Sequence, residues 1–297
     1  MSTILEVNAL RKTYGKITAV DQISFRVGKG EVFGILGPNG SGKTTTLGCI
    51  MGLLHADSGS FAWLGGQEST EARKRIGCLI ETPNFYPYLS AWKNLEIVAK
   101  IKGCDESRIS VVLKETGLLE RKDSAFKTFS LGMKQRLAIA SALLADPEVL
   151  VLDEPTNGLD PQGITEIREL ILRQQQAGKT IILASHLLNE VQKVCSDVII
   201  MKRGKVLKAG AVSTILTESD TAVVGSSDLV KLKLALENIP QVKSIHPAGK
   251  HLTVALEQGF EPEMLNQQLF QQGIAVSHLV RNTADLEQEF LKLIQAS

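Results

Sequence analysis

Residues 37–44 have the composition and spacing of a loop that binds phosphate groups. Their sequence, GPNGSGKT, fits the pattern G-x-x-x-x-G-K-(S/T). Glycines in such a loop let backbone N–H groups turn toward phosphate oxygens, and the helix that follows adds its positive end. We expect Lys43 to reach the β- and γ-phosphates, the Thr44 hydroxyl to ligate Mg²⁺, and Thr45 to hydrogen-bond the phosphates. The predicted loop consists of Gly37, Pro38, Asn39, Gly40, Ser41, Gly42, Lys43, Thr44 and Thr45.

A second stretch, VLVLDEP, ends an apolar run in two adjacent carboxylates, Asp153 and Glu154. Side chains alternate along a strand, so the two carboxylates point in different directions and can take different tasks. Asp153 is predicted to hold Mg²⁺, a cation that prefers oxygen ligands. Glu154 is predicted to orient or deprotonate the water that attacks a phosphoryl group. The alternative for this stretch is a pair of carboxylates that only caps a strand end, and for residues 37–44 it is an ordinary Gly-rich turn.

His186 directly follows a third apolar run, TIILAS. Open α/β sheets bind ligands outside the carboxyl ends of their strands. We therefore expect His186 to contact a γ-phosphate, with a purely structural role as the alternative.

The elements that position these residues alternate between strand and helix. Strands are predicted where short runs are continuously apolar, and helices where the pattern is amphipathic. These are strands 31–36, 149–153 and 180–185 and helices 44–54 and 161–176, with further helices between 90 and 144. Residues 4–27 alternate β-favouring runs with turn residues, which is typical of an antiparallel sheet. Together these elements predict an α/β domain with a parallel sheet.

The composition shifts after a predicted hairpin turn at Arg203 and Gly204, and residues 218–222 are predicted as a linker. The remaining pattern is strand, helix, strand, strand, helix, strand and a trailing helix, which is typical of a ferredoxin-like unit. The predicted elements are 222–225, 228–239, 242–245, 252–257, 262–272, 275–280 and 284–294. We expect one large domain, residues 1–216, and a smaller α+β domain, residues 217–297.

Composition and charge exclude several classes of protein. The chain has 297 residues and a formal net charge of +1, which is not the electrostatic footprint of a protein that holds nucleic acid. Its four cysteines form no C-x-x-C pair, so reduced thiols in a cytosolic protein are expected rather than a zinc site or disulfides. No apolar run reaches the roughly 18 residues that span a bilayer, and no signal peptide is recognised.

The stretches GPNGSGKTTT, FSLGMKQR, VLVLDEPTNGLD and ASH occur in the order and approximate spacing found in ABC transporters. The chain resembles the nucleotide-binding subunit of that family over about residues 4–216. The resemblance implies a P-loop ABC ATPase domain, with a parallel-sheet core, an antiparallel β subdomain and a helical subdomain, that binds ATP and Mg²⁺.

Within that family, FSLGMKQR corresponds to the signature motif, which is usually L-S-G-G-Q. The resemblance implies that Ser130 and the backbone N–H of Gly132 contact the γ-phosphate bound to a second subunit. A helix N-terminus suits this task because its first N–H groups have no partner within the helix. Two chains facing head to tail would then enclose two nucleotides. Phe129, Leu131 and Met133 depart from the usual motif.

Two further positions match the family, and a third departs from it. Tyr14 matches the aromatic residue that stacks on adenine, with core packing as the alternative. Asp160 matches a loop that touches the opposite subunit. Glu81 stands where the family usually has a Gln that ligates Mg²⁺ and senses the membrane partner. It is either a harmless isosteric change or a mark of exporters for bacitracin-type and lantibiotic-type peptides, where it would support magnesium-dependent coupling.

An aromatic segment follows Glu81 in a chain with few aromatic residues. Phe85, Tyr86, Tyr88 and Trp92 could form the groove that accepts a helix of a membrane subunit. The alternative is that two or three of them pack into the helical subdomain.

We therefore predict the ATP-hydrolysing subunit of an exporter, peripheral on the cytoplasmic face of the membrane and dimeric with itself or a related subunit. It would work with a separate transmembrane permease and without nucleic acid. One alternative is a soluble ABC ATPase that drives assembly, such as iron–sulfur cluster biogenesis. An ABC ATPase acting on DNA or ribosomes, or a P-loop kinase or GTPase, accounts for fewer features. The predicted C-terminal domain could support the dimer, regulate it or only stabilise the chain.

Overall fold

The structure is a computed structural model that describes residues 2–66, 70–81, 84–217, 221–257, 259–282, 286 and 290. The chain divides into two compact units, residues 1–210 and 211–297. The boundary predicted after residue 216 falls inside a helix, Val212–Thr217.

The first unit contains two sheets and two groups of helices. Its strands are β1 (Thr3–Tyr14), β2 (Ile17–Gly28), β3 (Val32–Leu36), β4 (Ser58–Trp63), β5 (Ile76–Leu79), β6 (Val149–Asp153), β7 (Thr180–Ser185), β8 (Asp197–Lys202) and β9 (Lys205–Ala211). Its helices are α1 (Lys43–Ile50), α2 (Thr70–Lys74), α3 (Ala91–Lys102), α4 (Ser107–Glu115), α5 (Leu131–Leu143), α6 (Pro161–Gln176) and α7 (Leu188–Val194). Short 3₁₀ turns cover Leu119–Arg121 and Phe126–Thr128.

A six-stranded sheet, in the order β5-β6-β7-β3-β8-β9, forms the centre of the first unit. The pairs from β5 to β8 are parallel, as predicted. Every residue of β3, β6 and β7 is buried, because alternate residues share a hydrophobic core with α1 and strands β1, β2 and β4, and α5, α6 and α7 also pack on the sheet. The predicted hairpin turn is confirmed: Arg203 and Gly204 have φ of 49° and 81°, the left-handed values that a tight turn requires.

A three-stranded antiparallel sheet, β2-β1-β4, lies beside this core, and α3, α4 and α5 pack together as a helical group. An antiparallel sheet was predicted for residues 4–27, but neither β4 nor β5 was predicted from the sequence. The predicted helix 44–54 is too long, because α1 ends at Ile50. Gly52, with φ of 71°, turns the chain back, so that Leu53 and Leu54 donate to the Gly48 carbonyl.

The second unit begins with α8 (Val212–Thr217), which was not predicted. It continues with β10 (Thr221–Ser226), α9 (Leu229–Glu237), β11 (Val242–Ala248), β12 (His251–Leu256), α10 (Pro262–Gln271) and β13 (Val276–Asn282). Its sheet is antiparallel throughout, in the order β11-β12-β10-β13, and α9 and α10 pack on it over an aliphatic core.

The element order β-α-β-β-α-β of this unit agrees with the sequence analysis, while its assignment as ferredoxin-like stays a prediction. The predicted linker is shortened by β10, which includes Thr221 and Ala222; residues 218–220 lie outside the described residues. Of the predicted trailing helix 284–294, only residues 286 and 290 are described.

Candidate nucleotide site

The loop between β3 and α1 has the open, glycine-dependent form that phosphate binding requires. A Cβ added at Gly42, where φ is 106°, would lie 2.3 Å from the carbonyl oxygen of Ala19, so a larger residue does not fit. A Cβ added at Gly40 would meet no atom within 4 Å. The loop is therefore anchored at one glycine against the β1–β2 hairpin and open at another, which leaves room for a phosphate group beside the backbone.

Lys43 is the first residue of α1, and its side chain is only 5% exposed. Its Nζ donates to the Gly37 carbonyl oxygen at 2.8 Å and lies 3.2 Å from Glu154 Oε1. Burial of an ammonium group is tolerated here because a carbonyl and a carboxylate surround it. Glu154 Oε1 accepts no well-aligned hydrogen bond, so charge alone holds this pair.

Asp153 ends β6 with a side chain that is almost fully buried, and its Oδ1 has no hydrogen-bond partner. Burial raises the pKa of the Asp153 carboxyl above its ordinary value of 3.8. The carboxylates of Glu154 and Glu81 raise this pKa further, while the Thr44 hydroxyl and the Lys43 ammonium lower it. A buried carboxylate oxygen without a donor is an expensive arrangement unless a cation completes it.

Glu154 follows Asp153 in a left-handed backbone conformation, with φ of 48°, which is uncommon for a residue with a side chain. The turn is held by a hydrogen bond from the Glu154 N–H to the Ala184 carbonyl oxygen at 2.9 Å. Glu154 Oε2 lies 2.8 Å from His186 Nδ1 and also accepts from the His186 backbone N–H at 3.4 Å. The structure therefore brings the predicted residues Lys43, Asp153, Glu154 and His186 together.

The residues fit Mg²⁺ only if phosphate oxygens and water complete its coordination. Among the described residues, no group of three or more His, Cys, Asp or Glu could hold a metal ion by itself. Mg²⁺ commonly binds through one or two carboxylates together with substrate phosphates. The unpartnered Asp153 Oδ1 beside Thr44 suits that pattern. Glu81 is exposed, its backbone is left-handed with φ of 63°, and its carboxylate contributes to the raised pKa of Asp153. Its role as a ligand stays a prediction.

Ser130 and Asp160 begin two long helices at the border of a separate groove of about 440 Å³. Ser130 is the N-cap of α5 and accepts from the Met133 N–H at 3.3 Å; Asp160 is the N-cap of α6 and accepts from the Gly163 N–H at 2.9 Å. Gly132 lines the same groove. Among the described residues, none of the Lys43, Glu154 and His186 side chains lines it, so the predicted site residues form two clusters.

Tyr14 ends β1 with its side chain 47% exposed, so the alternative that it packs in the core is wrong. Lys12 Nζ lies 5.5 Å from the centre of the ring. The β1–β2 hairpin that carries Tyr14 also supplies the Ala19 carbonyl against Gly42. An exposed aromatic ring on the hairpin beside the phosphate loop is suited to stacking.

The aromatic segment after Glu81 is divided between packing and exposure. Phe85 meets Phe126 edge to face at 5.2 Å, whereas Tyr86 and Tyr88 are 51% and 71% exposed. The Trp92 ring lies 5.7 Å from Lys122 Nζ. Phe85 therefore packs, as the alternative expected, and Tyr86 and Tyr88 form an exposed pair. That this segment accepts a helix of a membrane subunit stays a prediction.

Two features of the site were not predicted. The first is the ion pair of Lys43 with Glu154, which joins residues far apart in the sequence. The second is Arg136, whose Nε lies 3.5 Å from Glu166 Oε2 in the groove of Ser130 and Asp160. Arg136 ends the quoted stretch FSLGMKQR, and its position four residues after Gly132, on the same face of a helix, was the signal that could have identified it.

The parallel sheet, the phosphate loop, the carboxylates at the end of β6 and the separate helical group define a P-loop ATPase of the ATP-binding cassette class. A family model for ABC transporters matches residues 20–157. The uncharacterized ABC transporter ATP-binding protein YhcH of Bacillus subtilis is 40% identical over 266 residues, which cover 82% of this chain and 87% of that protein. The chain belongs to the family of ABC transporter ATP-binding proteins, and it is an ATP-hydrolysing subunit.

Two further likenesses are informative. The bacitracin transport ATP-binding protein BcrA of Bacillus licheniformis is 44% identical over 213 residues, 70% of each chain. The solved structure of cbiO1 from Clostridium perfringens, part of the ABC transporter complex cbiONQ, has a TM-score of 0.67 at 33% identity and covers 73% of this chain and 92% of its own. ABC ATP-binding subunits dimerise and work with membrane permease subunits. No helix among the described residues is long and apolar enough to cross a membrane.

Proposed function

We propose that this chain drives export through a separate permease by hydrolysing ATP in a head-to-tail dimer on the cytoplasmic face of the membrane. The observation that carries the proposal is the position of Glu154 between Lys43 and His186, next to a buried Asp153 oxygen without a partner. The bacitracin and lantibiotic transport proteins among its relatives support an antibiotic-type substrate.

In this proposal, the backbone N–H groups of residues 37–45 bind the phosphates of ATP. Phosphate oxygens then replace the backbone carbonyls as the hydrogen-bond partners of Lys43. Lys43 then releases Glu154, which orients or deprotonates the attacking water. His186 contacts the γ-phosphate and keeps Glu154 in place. Thr44, Asp153 and Glu81 would hold Mg²⁺, which would supply positive charge beside the phosphate oxygens.

The second cluster would complete the site of another subunit. Ser130 and the N–H of Gly132 would contact the γ-phosphate on the partner's loop, and Asp160 would touch the opposite chain. ATP would then act as part of the interface, and hydrolysis would loosen it. Dimer formation with itself or with a related ATPase subunit satisfies this geometry equally well.

The exposed Tyr86 and Tyr88 are proposed as the contact surface for the permease. Phe85 would fix this surface to the helical group through its contact with Phe126. The C-terminal unit is proposed as a ferredoxin-like accessory domain, which its strand order and antiparallel pairing support.

A tagged pull-down from detergent-solubilised native membranes tests this function. We expect a stoichiometric partner with about six membrane spans, each of roughly 20 apolar residues. Tyr88→Ser should lower its recovery, whereas Leu53→Ser, at a 65% exposed position outside the aromatic segment, should not. Recovery with soluble partners alone would contradict the proposal and favour an assembly ATPase.

A further inference from the structure

The signature helix α5 and the helix α6 after the Asp160 loop begin side by side, and two leucines join them. A Cβ added at Gly158 would lie 3.0 Å from Leu131 Cδ2, and a Cβ added at Gly132 would lie 3.9 Å from Leu159 Cδ2. Leu131 therefore packs on Gly158, in the loop that precedes α6, and Leu159 of the same loop approaches Gly132 in the first turn of α5. These contacts form one wall of the groove of Ser130 and Asp160.

Leu131 is the position at which this chain departs from the usual glycine of the signature motif. Its side chain is 48% exposed, so it packs on Gly158 and still faces the groove. Gly158 has φ of 73°, so a side chain there would be strained, and its Cβ would require the Leu131 methyl group to shift by a few tenths of an ångström. Leu131 and Gly158 are thus in close contact.

We propose that Leu131 is a positioning residue for the nucleotide bound to a second copy of the chain. This rests on the proposed head-to-tail dimer. By packing on Gly158, the Leu131 side chain fixes the start of α5 relative to the loop that precedes α6. The N–H groups around Ser130 and the Asp160 loop then meet the partner's nucleotide in one fixed arrangement. Ordering the two segments before binding removes part of the entropy cost of forming the interface.

Two consequences separate this role from ordinary packing. ATP bound to the phosphate loop of the same chain does not touch Leu131, so the ATP affinity of the monomer should not change with residue 131. The protein concentration needed for the ATP-bound dimer should change, because the interface of a two-fold dimer contains Leu131 twice, once beside each nucleotide. A side chain of similar volume and reach, such as methionine, should restore dimer formation.

The test measures ATP-driven dimer formation by analytical ultracentrifugation in the Glu154→Gln background, with monomer affinity from titration calorimetry at low protein concentration. We expect Leu131→Ala to raise the dimer dissociation constant roughly tenfold, with monomer ATP affinity unchanged and Leu131→Met close to the parent. Ile101→Ala, at a 79% exposed position of α3, is the matched control and should have no effect.

Three outcomes would overturn the inference. If Leu131→Ala dimerises like its parent, the proposed dimer stands and Leu131 has no positioning role. If Leu131→Ala weakens monomer ATP binding as much as dimer formation, the residue acts through general stability. If the Glu154→Gln parent stays monomeric at saturating ATP, the head-to-tail dimer fails, and the role of Leu131 fails with it.

Discussion

Glu154 Oε2 lies 2.8 Å from His186 Nδ1, which places the carboxylate at the end of β6 against the first residue after β7. The other oxygen of the same carboxylate faces Lys43 at 3.2 Å. Glu154 is thus held between the phosphate loop and the neighbouring strand end. The backbone at Glu154 is left-handed, an uncommon conformation of the kind that occurs at functional sites.

His186→Ala should lower kcat by about 10²–10³-fold, because Glu154 loses the partner that orients it and the γ-phosphate loses a contact. The affinity of the monomer for ATP should change much less. Steady-state hydrolysis and equilibrium ATP binding measure the two effects. His55→Ala, at an exposed position outside the site, is the control. Equal hydrolysis rates in His186→Ala and the parent would contradict the role of His186.

Tyr14→Ala should weaken ATP binding by about 1–3 kcal/mol, the usual contribution of stacking between a base and an aromatic side chain. Binding of inorganic triphosphate, which has no base, should be almost unchanged. Tyr14→Phe keeps the ring and should bind both ligands like the parent. Calorimetric titrations with the two ligands decide the point, and equal losses for both would argue against stacking.

Asp153→Asn should stabilise the nucleotide-free protein at pH 7. The folded state raises the pKa of Asp153 above 3.8, so it holds this proton more tightly than the unfolded chain does. The resulting stability is present below pH 3.8 and is lost as pH rises through the raised folded pKa. At pH 7 the buried, ionised Asp153 therefore lowers the free energy of unfolding, and Asn removes this penalty. Each kcal/mol of stability regained would raise the Tm by about 2–4 °C.

Thermal unfolding at several pH values without Mg²⁺ checks this prediction. The gain from Asp153→Asn should shrink as pH falls toward the raised pKa, and hydrolysis should be lost at every pH. Asp123→Asn, at an exposed carboxylate, controls for the change in net charge. A lower Tm in Asp153→Asn than in the parent at pH 7 would contradict the assigned cost of burial.

Mg²⁺-dependent nucleotide binding should weaken as the pH falls, and Glu81→Gln should move this loss of affinity to lower pH. Glu81 raises the pKa of Asp153, so its removal lets Asp153 stay ionised, and able to bind Mg²⁺, at lower pH. If Glu81 also supports coupling, the same variant should reduce transport relative to hydrolysis. If both transport and the Mg²⁺ dependence of nucleotide binding are unchanged in Glu81→Gln, Glu81 has no role in coupling and is a harmless isosteric replacement of glutamine.

Much of the core could be predicted because its signals are local. The bounds of β6, β7 and α6 agree with the sequence prediction, since apolar runs and helical periodicity end at clear polar, Pro or Gly positions. By contrast, β4 has mostly exposed or half-exposed residues and exists because it pairs with β1. Such a strand is determined by a distant partner, which local pattern does not reveal.

The features of the site fall into the same two groups, those with a local sequence signal and those that depend on distant residues. The phosphate loop and the carboxylates of Asp153 and Glu154 follow from motif and spacing. The pairing of Glu154 with Lys43 does not, because it depends on how β6 and α1 meet across the sheet. The contact of Leu131 with Gly158 was equally hidden, although the sequence showed that Leu131 was unusual.

In the proposed function, ATP joins two copies of this chain, or this chain and a related one, head to tail. Glu154→Gln should bind ATP but hydrolyse it slowly, because the residue that activates water is lost while the phosphate contacts remain. Analytical ultracentrifugation of this variant with saturating ATP and Mg²⁺ tests this head-to-tail dimer. We expect a dimer that retains two nucleotides with ATP and a monomer with ADP. A monomer at saturating ATP would contradict it.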